Sequence, residues 1–315
     1  MSIEGQFKHK IGQLKGLLKS CVLCPRRCQV DRTKGERGFC CLSDRIMVDC
    51  ATAHHGEEPP FSGIYGAGTI FFSSCNLRCV YCQNYQISHG PTGEYISERA
   101  LAQMMLNLQN QRCHNIDLVT PTPQMPQIME ALCEARQEGL KVPAIYNCGG
   151  YESPEIIRYL DGMIEIYLPD FKYGISEEGF ELSDAKDYPQ FAVASIVEMV
   201  RQVGDGLETN NGIAVKGIII RHLVLPGRLS NSIEVLKLIK KHISTSITIA
   251  IMSQYTPIPA VAHHPELGRR LTRQEYNTVV EEALEMGFEN LIIQRVDEKT
   301  LIPNFRQEAP FDWRG

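Results

Sequence analysis

Apolar and polar positions along the chain follow two alternating rhythms. Short apolar runs recur as AGTIFFSSC (67–75), NIDLVTPT (115–122), VPAIYNCGGY (142–151), MIEIYLPDFKYG (163–174), GIAVKGIIIRHLVLPG (212–227), SITIAIMSQY (246–255) and ENLIIQRV (289–296). They are too short for helices and bounded by Gly and Pro, so they predict buried strands. Between them lie stretches with helical apolar spacing: ISERALAQMMLNLQNQ, PQIMEALCEARQEGL, SPEIIRYLDG, DYPQFAVASIVEMVRQVG, NSIEVLKLIKKHI and TRQEYNTVVEEALEMGF. Ser97 is placed to cap the first of these, and Ser230 or Asn231 the fifth. Apolar strands alternating with helices imply parallel βαβ units. The count is short of an eight-fold barrel. The expected fold is α/β, a partial (β/α)6 TIM-type barrel with a cysteine-rich N-terminal extension; a doubly wound sheet is the alternative.

The first 62 residues break this rhythm. Ile11, Leu14, Leu17 and Leu18 mark one amphipathic helix, and residues 21 to about 62 read as irregular, ending in HHGEEPPFSG. That Pro/Gly-rich end predicts a boundary. The expected organisation is 1–62 for the helix and metal-binding segment, 63–295 for the partial barrel and 296–315 for a tail. The tail carries the only tryptophan, Trp313, which either covers the barrel mouth or packs as a chain end.

Composition adds one unusual fact. The 315 residues carry twelve cysteines, nine of them between residues 21 and 82. Lys216 and Arg221 interrupt the longest apolar run, and the N-terminus lacks the apolar block of a signal peptide, so the chain reads as cytoplasmic with no membrane partner. Disulfides are disfavoured there, and clustered cysteines then point to metal or redox chemistry. A net charge of -5 offers no basic field for nucleic acid. Cys133 reads as a helix-core residue.

CNLRCVYCQN (75–84) places Cys75, Cys79 and Cys82 within one loop, directly after a strand. Thiolates suit zinc, copper(I) or iron–sulfur. Zinc would need a fourth ligand, with His89 the nearest candidate. A four-iron cubane tolerates three, because its fourth iron can take an outside ligand. A second set, CVLCPRRCQVDRTKGERGFC, spaces Cys21, Cys24, Cys28 and Cys40 as C-x2-C-x3-C-x11-C, with Cys41 and Cys50 spare. Four ligands make a closed site, and structural zinc, an auxiliary iron–sulfur cluster or no stable metal all stay open. Arg26 and Arg27 beside them would lower thiolate pKa or simply be solvated.

With Tyr81 before the last cysteine, C-x3-C-x2-C resembles the signature of radical S-adenosylmethionine (SAM) enzymes. GTIFFSSCNLRCVYCQNYQIS looks like the branch related to pyruvate formate-lyase activating enzymes. HNIDLVTPT, YNCGGYES, YLPDFKY and RHLVLPG resemble an uncharacterised group of iron–sulfur proteins in that branch. The likeness spans most of residues 63 to 290. It implies that Cys75, Cys79 and Cys82 hold a 4Fe-4S cluster whose open iron binds SAM, and that Tyr81 packs near the adenine. Reductive cleavage of SAM would yield a 5'-deoxyadenosyl radical for hydrogen abstraction. It further implies flavodoxin or ferredoxin as reductant and a glycyl-radical enzyme, or another protein, as substrate. RNA or a small metabolite is the alternative substrate, and a non-catalytic metal-stabilised scaffold the alternative function.

SAM contacts are expected at strand ends. The family's Gly-Gly-Glu after the second strand is missing; LVTPTP stands there, offering Thr120 and Thr122 or plain turn chemistry. GGYE follows the third strand, where it aligns with the part that approaches the SAM ribose in the activating enzymes, so the resemblance implies Asn147, Gly149 and Gly150 at the ribose. Asp170 and Lys172 end the fourth strand, where the family carries an Asp-x-Lys pair facing SAM; a surface salt bridge is the bland reading. Arg221 and His222 on the fifth strand, and Gln254 and Tyr255 after the sixth, complete the candidates. A lone His in an apolar strand is more often a satisfied core residue.

Overall fold

The computed structural model describes residues 3–297, 302–307 and 309–311; Trp313, and with it that part of the tail expectation, lies outside them. One mixed sheet runs through the chain. Its strands are β1 (Ile46–His54), β2 (Ala67–Phe72), β3 (Glu94–Ile96), β4 (Ile116–Val119), β5 (Ala144–Cys148), β6 (Ile166–Pro169), β7 (Leu207–Asn210), β8 (Ile213–Leu223), β9 (Thr248–Met252) and β10 (Leu291–Ile293). The order is β10-β9-β8-β6-β5-β4-β2-β1-β3, with β7 hairpinned onto β8. From β2 to β10 every neighbouring pair along the path is parallel. Those strands follow sequence order without a reversal, unlike a doubly wound sheet.

The seven apolar runs all became strands, because parallel strands are covered on both faces and can be apolar throughout. Alternate residues divide cleanly. Tyr146, Tyr167, Ile218 and Ile220 join the large core beneath the helices, whereas Ile145, Ile166, Leu168, Ile219 and Ala250 close around Phe61 on the other face. Phe61 sits in the short helix Pro59–Ser62, so the HHGEEPPFSG segment plugs the inner face of the sheet.

Ser97 caps the helix Glu98–Asn110 by accepting from the Ala100 N–H at 3.1 Å. The helix expected to begin at Ser230 or Asn231 starts at Leu229, and Asn231 is no cap. Its side chain accepts from the Gly174 N–H at 2.9 Å and donates to the Lys172 carbonyl at 2.9 Å. The segment expected to be irregular contains β1, nine residues long and antiparallel to β2. Cys50 and the polar residues around it weakened its alternation.

Candidate functional site

The loop after β2 wraps tightly. Ser74 and Arg78 take left-handed φ values of 69° and 53°. The Leu77 N–H donates to Cys75 Sγ at 3.3 Å, and Ser88 Oγ donates to Cys82 Sγ at 3.3 Å. Cys75, Cys79 and Cys82 all line one cavity of about 380 Å³. Burial first, then the neighbouring Cys79, pushes the Cys75 thiol up to about 11 and Cys82 to about 12. Bound cations would relieve that burden, since a metal ligand must be the thiolate. His89 does not line the cavity; its Nδ1 lies 3.0 Å from Ser88 Oγ. Three soft ligands lining one cavity without a fourth fit a cluster with one open position.

The opposite wall comes from strand ends. Thr120, with φ 59°, donates its N–H to the Asn147 carbonyl at 2.8 Å, which turns both residues to the cavity. Gly149, Asp170 and Lys172 follow on the next two strand ends. Lys172 Nζ donates to Asp170 Oδ2. Burial works against the Lys172 charge, but Asp170, followed by Cys79, outweighs it and its pKa rises. This pair is no exposed salt bridge, with side chains 18% and 21% accessible. Tyr81 lines the same cavity, its ring 6.5 Å from Tyr173 and 6.3 Å from Tyr255. Gln254 lines it too, and its carbonyl accepts from Gln83 Nε2 at 2.8 Å.

Four candidates lie elsewhere. His222 is fully buried, with Nδ1 2.7 Å from the Phe171 carbonyl and Nε2 2.8 Å from Ser232 Oγ. It neighbours Arg221 in β8, and successive strand residues face opposite ways, so only Arg221 faces the cavity. Tyr255 turns into the core and donates to the Leu267 carbonyl at 2.6 Å. Thr122 donates to Glu152 Oε1 at 2.9 Å, away from the cavity lining. Gly150 has φ 78°, and a Cβ there would stand 2.0 Å from the Asp170 carbonyl oxygen; this glycine serves backbone packing.

The carboxylates around Arg221 were not anticipated. Glu57 and Arg221 line the cavity, and Arg221 pairs with Glu57 and Glu58. Asp117 lies alongside, fully buried, with Oδ1 lacking a partner among the described residues. Burial, then Glu57, raises its carboxyl well above the usual range. One signal was legible: an aspartate inside the apolar run NIDLV must be buried in a strand. The glutamates gave none, because GEEPP reads as a turn.

The tail borders this space. Pro303 and Phe311 line the cavity, with the Phe311 ring 5.0 Å from Phe71 and 4.3 Å from His54. The Phe305 N–H donates to Gln86 Oε1 at 2.8 Å.

Cys21, Cys24, Cys28 and Cys40 line a second, much smaller cavity of about 20 Å³ with Arg26, Arg27 and Arg32. Cys41 and Cys50 are not among its lining residues; Cys41 Sγ accepts from Arg78 Nη2 at 3.1 Å, and Cys50 lines a groove between β1 and the helix Glu98–Asn110.

A family model described as the Radical SAM superfamily matches residues 69–172. An uncharacterised protein of Methanocaldococcus jannaschii is 30% identical over 289 residues, covering 88% of this chain and 77% of that protein. A second from the same organism is 31% identical over 104 residues, 29% of this chain and 30% of that one. Among solved structures, methylornithine synthase is similar at a TM-score of 0.50 and 10% identity, over 100% of this chain and 83% of that chain; this is a likeness of fold. No helix among the described residues is long and apolar enough to cross a membrane.

Proposed function

Because the chain belongs to the radical SAM superfamily, we propose that Cys75, Cys79 and Cys82 hold a 4Fe-4S cluster and that the cavity beside them binds SAM. When bound and reduced, the cluster supplies one-electron cleavage of the SAM sulfonium, with methionine and a 5'-deoxyadenosyl radical as products, for hydrogen abstraction from a substrate. The observation that carries this reading is convergence: three thiols from the loop after β2, with Thr120, Asn147, Asp170 and Lys172 from later strand ends, line one cavity.

Asp170 is placed to hold the SAM ammonium and Lys172 its carboxylate. Asn147 and the Gly149 backbone offer polar contacts to the ribose, and Tyr81 closes the wall against water. We read the unreversed parallel strand order as supporting a partial TIM-type barrel, a fold whose functional residues collect at the strand ends. Within this reading the hydrogen donor is a glycine of a partner protein entering beside Pro303 and Phe311, and flavodoxin or ferredoxin delivers the electron.

The test is anaerobic reconstitution with iron and sulfide, then SAM and dithionite, with 5'-deoxyadenosine measured. Wild type should produce it and Cys79→Ala should not. Equal production by Cys79→Ala would overturn the reading.

A further inference from the structure

The outer edge of β1 is largely open. β3 pairs only with Ile46–Val48, and among the described residues nothing pairs with that side of β1 from Asp49 to His54. An unpaired strand edge is a row of backbone N–H and C=O groups that fits another strand. Natural edges are often blunted by lysine or proline, and DCATAH (49–54) carries neither. Ala51 is exposed, and Asp49, Cys50 and Thr52 are half-buried.

A groove of about 340 Å³ runs along that edge. The consecutive residues Val48, Asp49, Cys50 and Ala51 all line it. Successive strand residues face opposite ways, so a groove that meets all of them follows the edge of β1 rather than one face. The opposite wall is one stripe of the helix Glu98–Asn110 and the residue after it, with Met104, Asn107, Leu108 and Gln111 at helical spacing. Glu94 of β3 lines the end at which β3 pairs with β1.

The chemistry of the lining selects the occupant. Asp49 and Glu94 are its charged residues, both acidic, and no cation lines it. The strand bulges between Val48 and Cys50, which is how a sheet re-aims a side chain. Asp49 accepts from Thr92 Oγ1 at 3.4 Å, a long hydrogen bond. Burial raises the Asp49 carboxyl, and a cation beside it would relieve that burden. Val48, Met104 and Leu108 give apolar seats between these polar groups. Backbone groups, apolar seats and acidic positions together describe an extended basic peptide.

We propose that this edge docks an extended segment of a partner protein, which adds as a strand beside β1. Backbone hydrogen bonds hold it, apolar side chains enter the groove, and basic side chains meet Asp49 and Glu94. β1 ends at His54, which lines the main cavity with the Phe311 ring 4.3 Å away, so the docked segment runs alongside that space. The docking stands whether or not the cavity binds SAM.

The experiment is fluorescence anisotropy of labelled hexapeptides with the full chain. One peptide is Lys-Val-Thr-Val-Thr-Lys, a second carries glutamate at both ends, and a third is the first with its inner amides N-methylated. The first should bind, the second about tenfold more weakly, and the third not at all, because N-methylation removes the donors of the added strand. Asp49→Lys/Glu94→Lys should reverse the charge preference and leave SAM cleavage at the wild-type rate. In the wild-type chain, hydrogen exchange over residues 49–54 should slow when the first peptide binds, which locates the site even if the double variant fails to fold. No binding of the first peptide, equal binding of the N-methylated one, no preference for lysine, or unchanged exchange over residues 49–54 overturns the proposal. So does slow exchange at every one of those amides in the free chain, because the edge is then already covered, by a second copy if the chain is dimeric. Absence of SAM cleavage in wild type would count against the proposed function alone.

Discussion

Glu58 holds Arg221 at the floor of the cavity: Arg221 Nε donates to Glu58 Oε1 at 2.7 Å, and Nη2 reaches both Glu57 and Glu58. The partners come from opposite halves of the sheet. The short segment after β1 carries the glutamates inward, and β8 carries the arginine. Burial alone would raise the Glu57 carboxyl, but Arg221, then His54, holds it below the ordinary value. Its contribution to stability is therefore present above about pH 4.3 and lost as pH falls towards the depressed folded value.

Arg221→Met removes the compensation and leaves buried carboxylates. It should cost about 3–5 kcal/mol at pH 7. Without the arginine, burial raises the Glu57 pKa above the unfolded value, so the variant is penalised as pH rises. The gap from wild type should narrow at pH 4.5. Urea unfolding at both pH values checks this; equal stability at pH 7 would sink it.

Lys172 and Asp170 should matter to binding before they matter to folding. Lys172→Met removes a buried cation from the cavity wall, and the SAM dissociation constant should rise roughly 10- to 100-fold. Equilibrium binding to the reconstituted protein is the measurement. An unchanged constant would mean that the pair is structural.

His222 should prove to be a stability residue. Burial is the main cause pushing its pKa down to about 4. The folded value lies below the unfolded value of about 6.5, so its contribution is present above that pH and lost as pH falls. Between pH 7 and pH 5 the loss amounts to about 2 kcal/mol from this group. His222→Gln should flatten that part of the wild-type pH dependence and keep SAM cleavage per folded molecule. A large loss of cleavage with unchanged pH dependence would return His222 to the site.

Gly150→Ala should be damaging although position 150 does not line the cavity. The new Cβ would meet the Asp170 carbonyl oxygen at 2.0 Å and Tyr188 Oη at 2.6 Å, at a φ of 78°. A penalty of about 1–3 kcal/mol for strained backbone alone is expected, and displacement of Asp170 should weaken SAM binding. Gly12→Ala is the control: nothing lies within 4 Å, and helix propensity should make it neutral or stabilising by about 0.5–1 kcal/mol. Thermal unfolding of both variants separates steric clash from general sensitivity to substitution.

By itself the sequence determined what local order can encode. Apolar runs of strand length became the parallel strands, Ser97 became a cap, and C-x3-C-x2-C became one loop, because each depends on residues close together in the chain. The strand ends carrying Asp170 and Lys172 were legible for the same reason. Tertiary structure decided the rest. Strand alternation, set by the sheet's register, turned Arg221 inward and His222 outward. The segment read as a boundary became the plug carrying Glu57, Glu58 and Phe61, since only the assembled sheet creates the inner space that it fills. Spacing had already grouped Cys21, Cys24, Cys28 and Cys40, but that Arg32 is buried beside them was decided only in three dimensions, because burial depends on how distant segments pack and not on order along the chain.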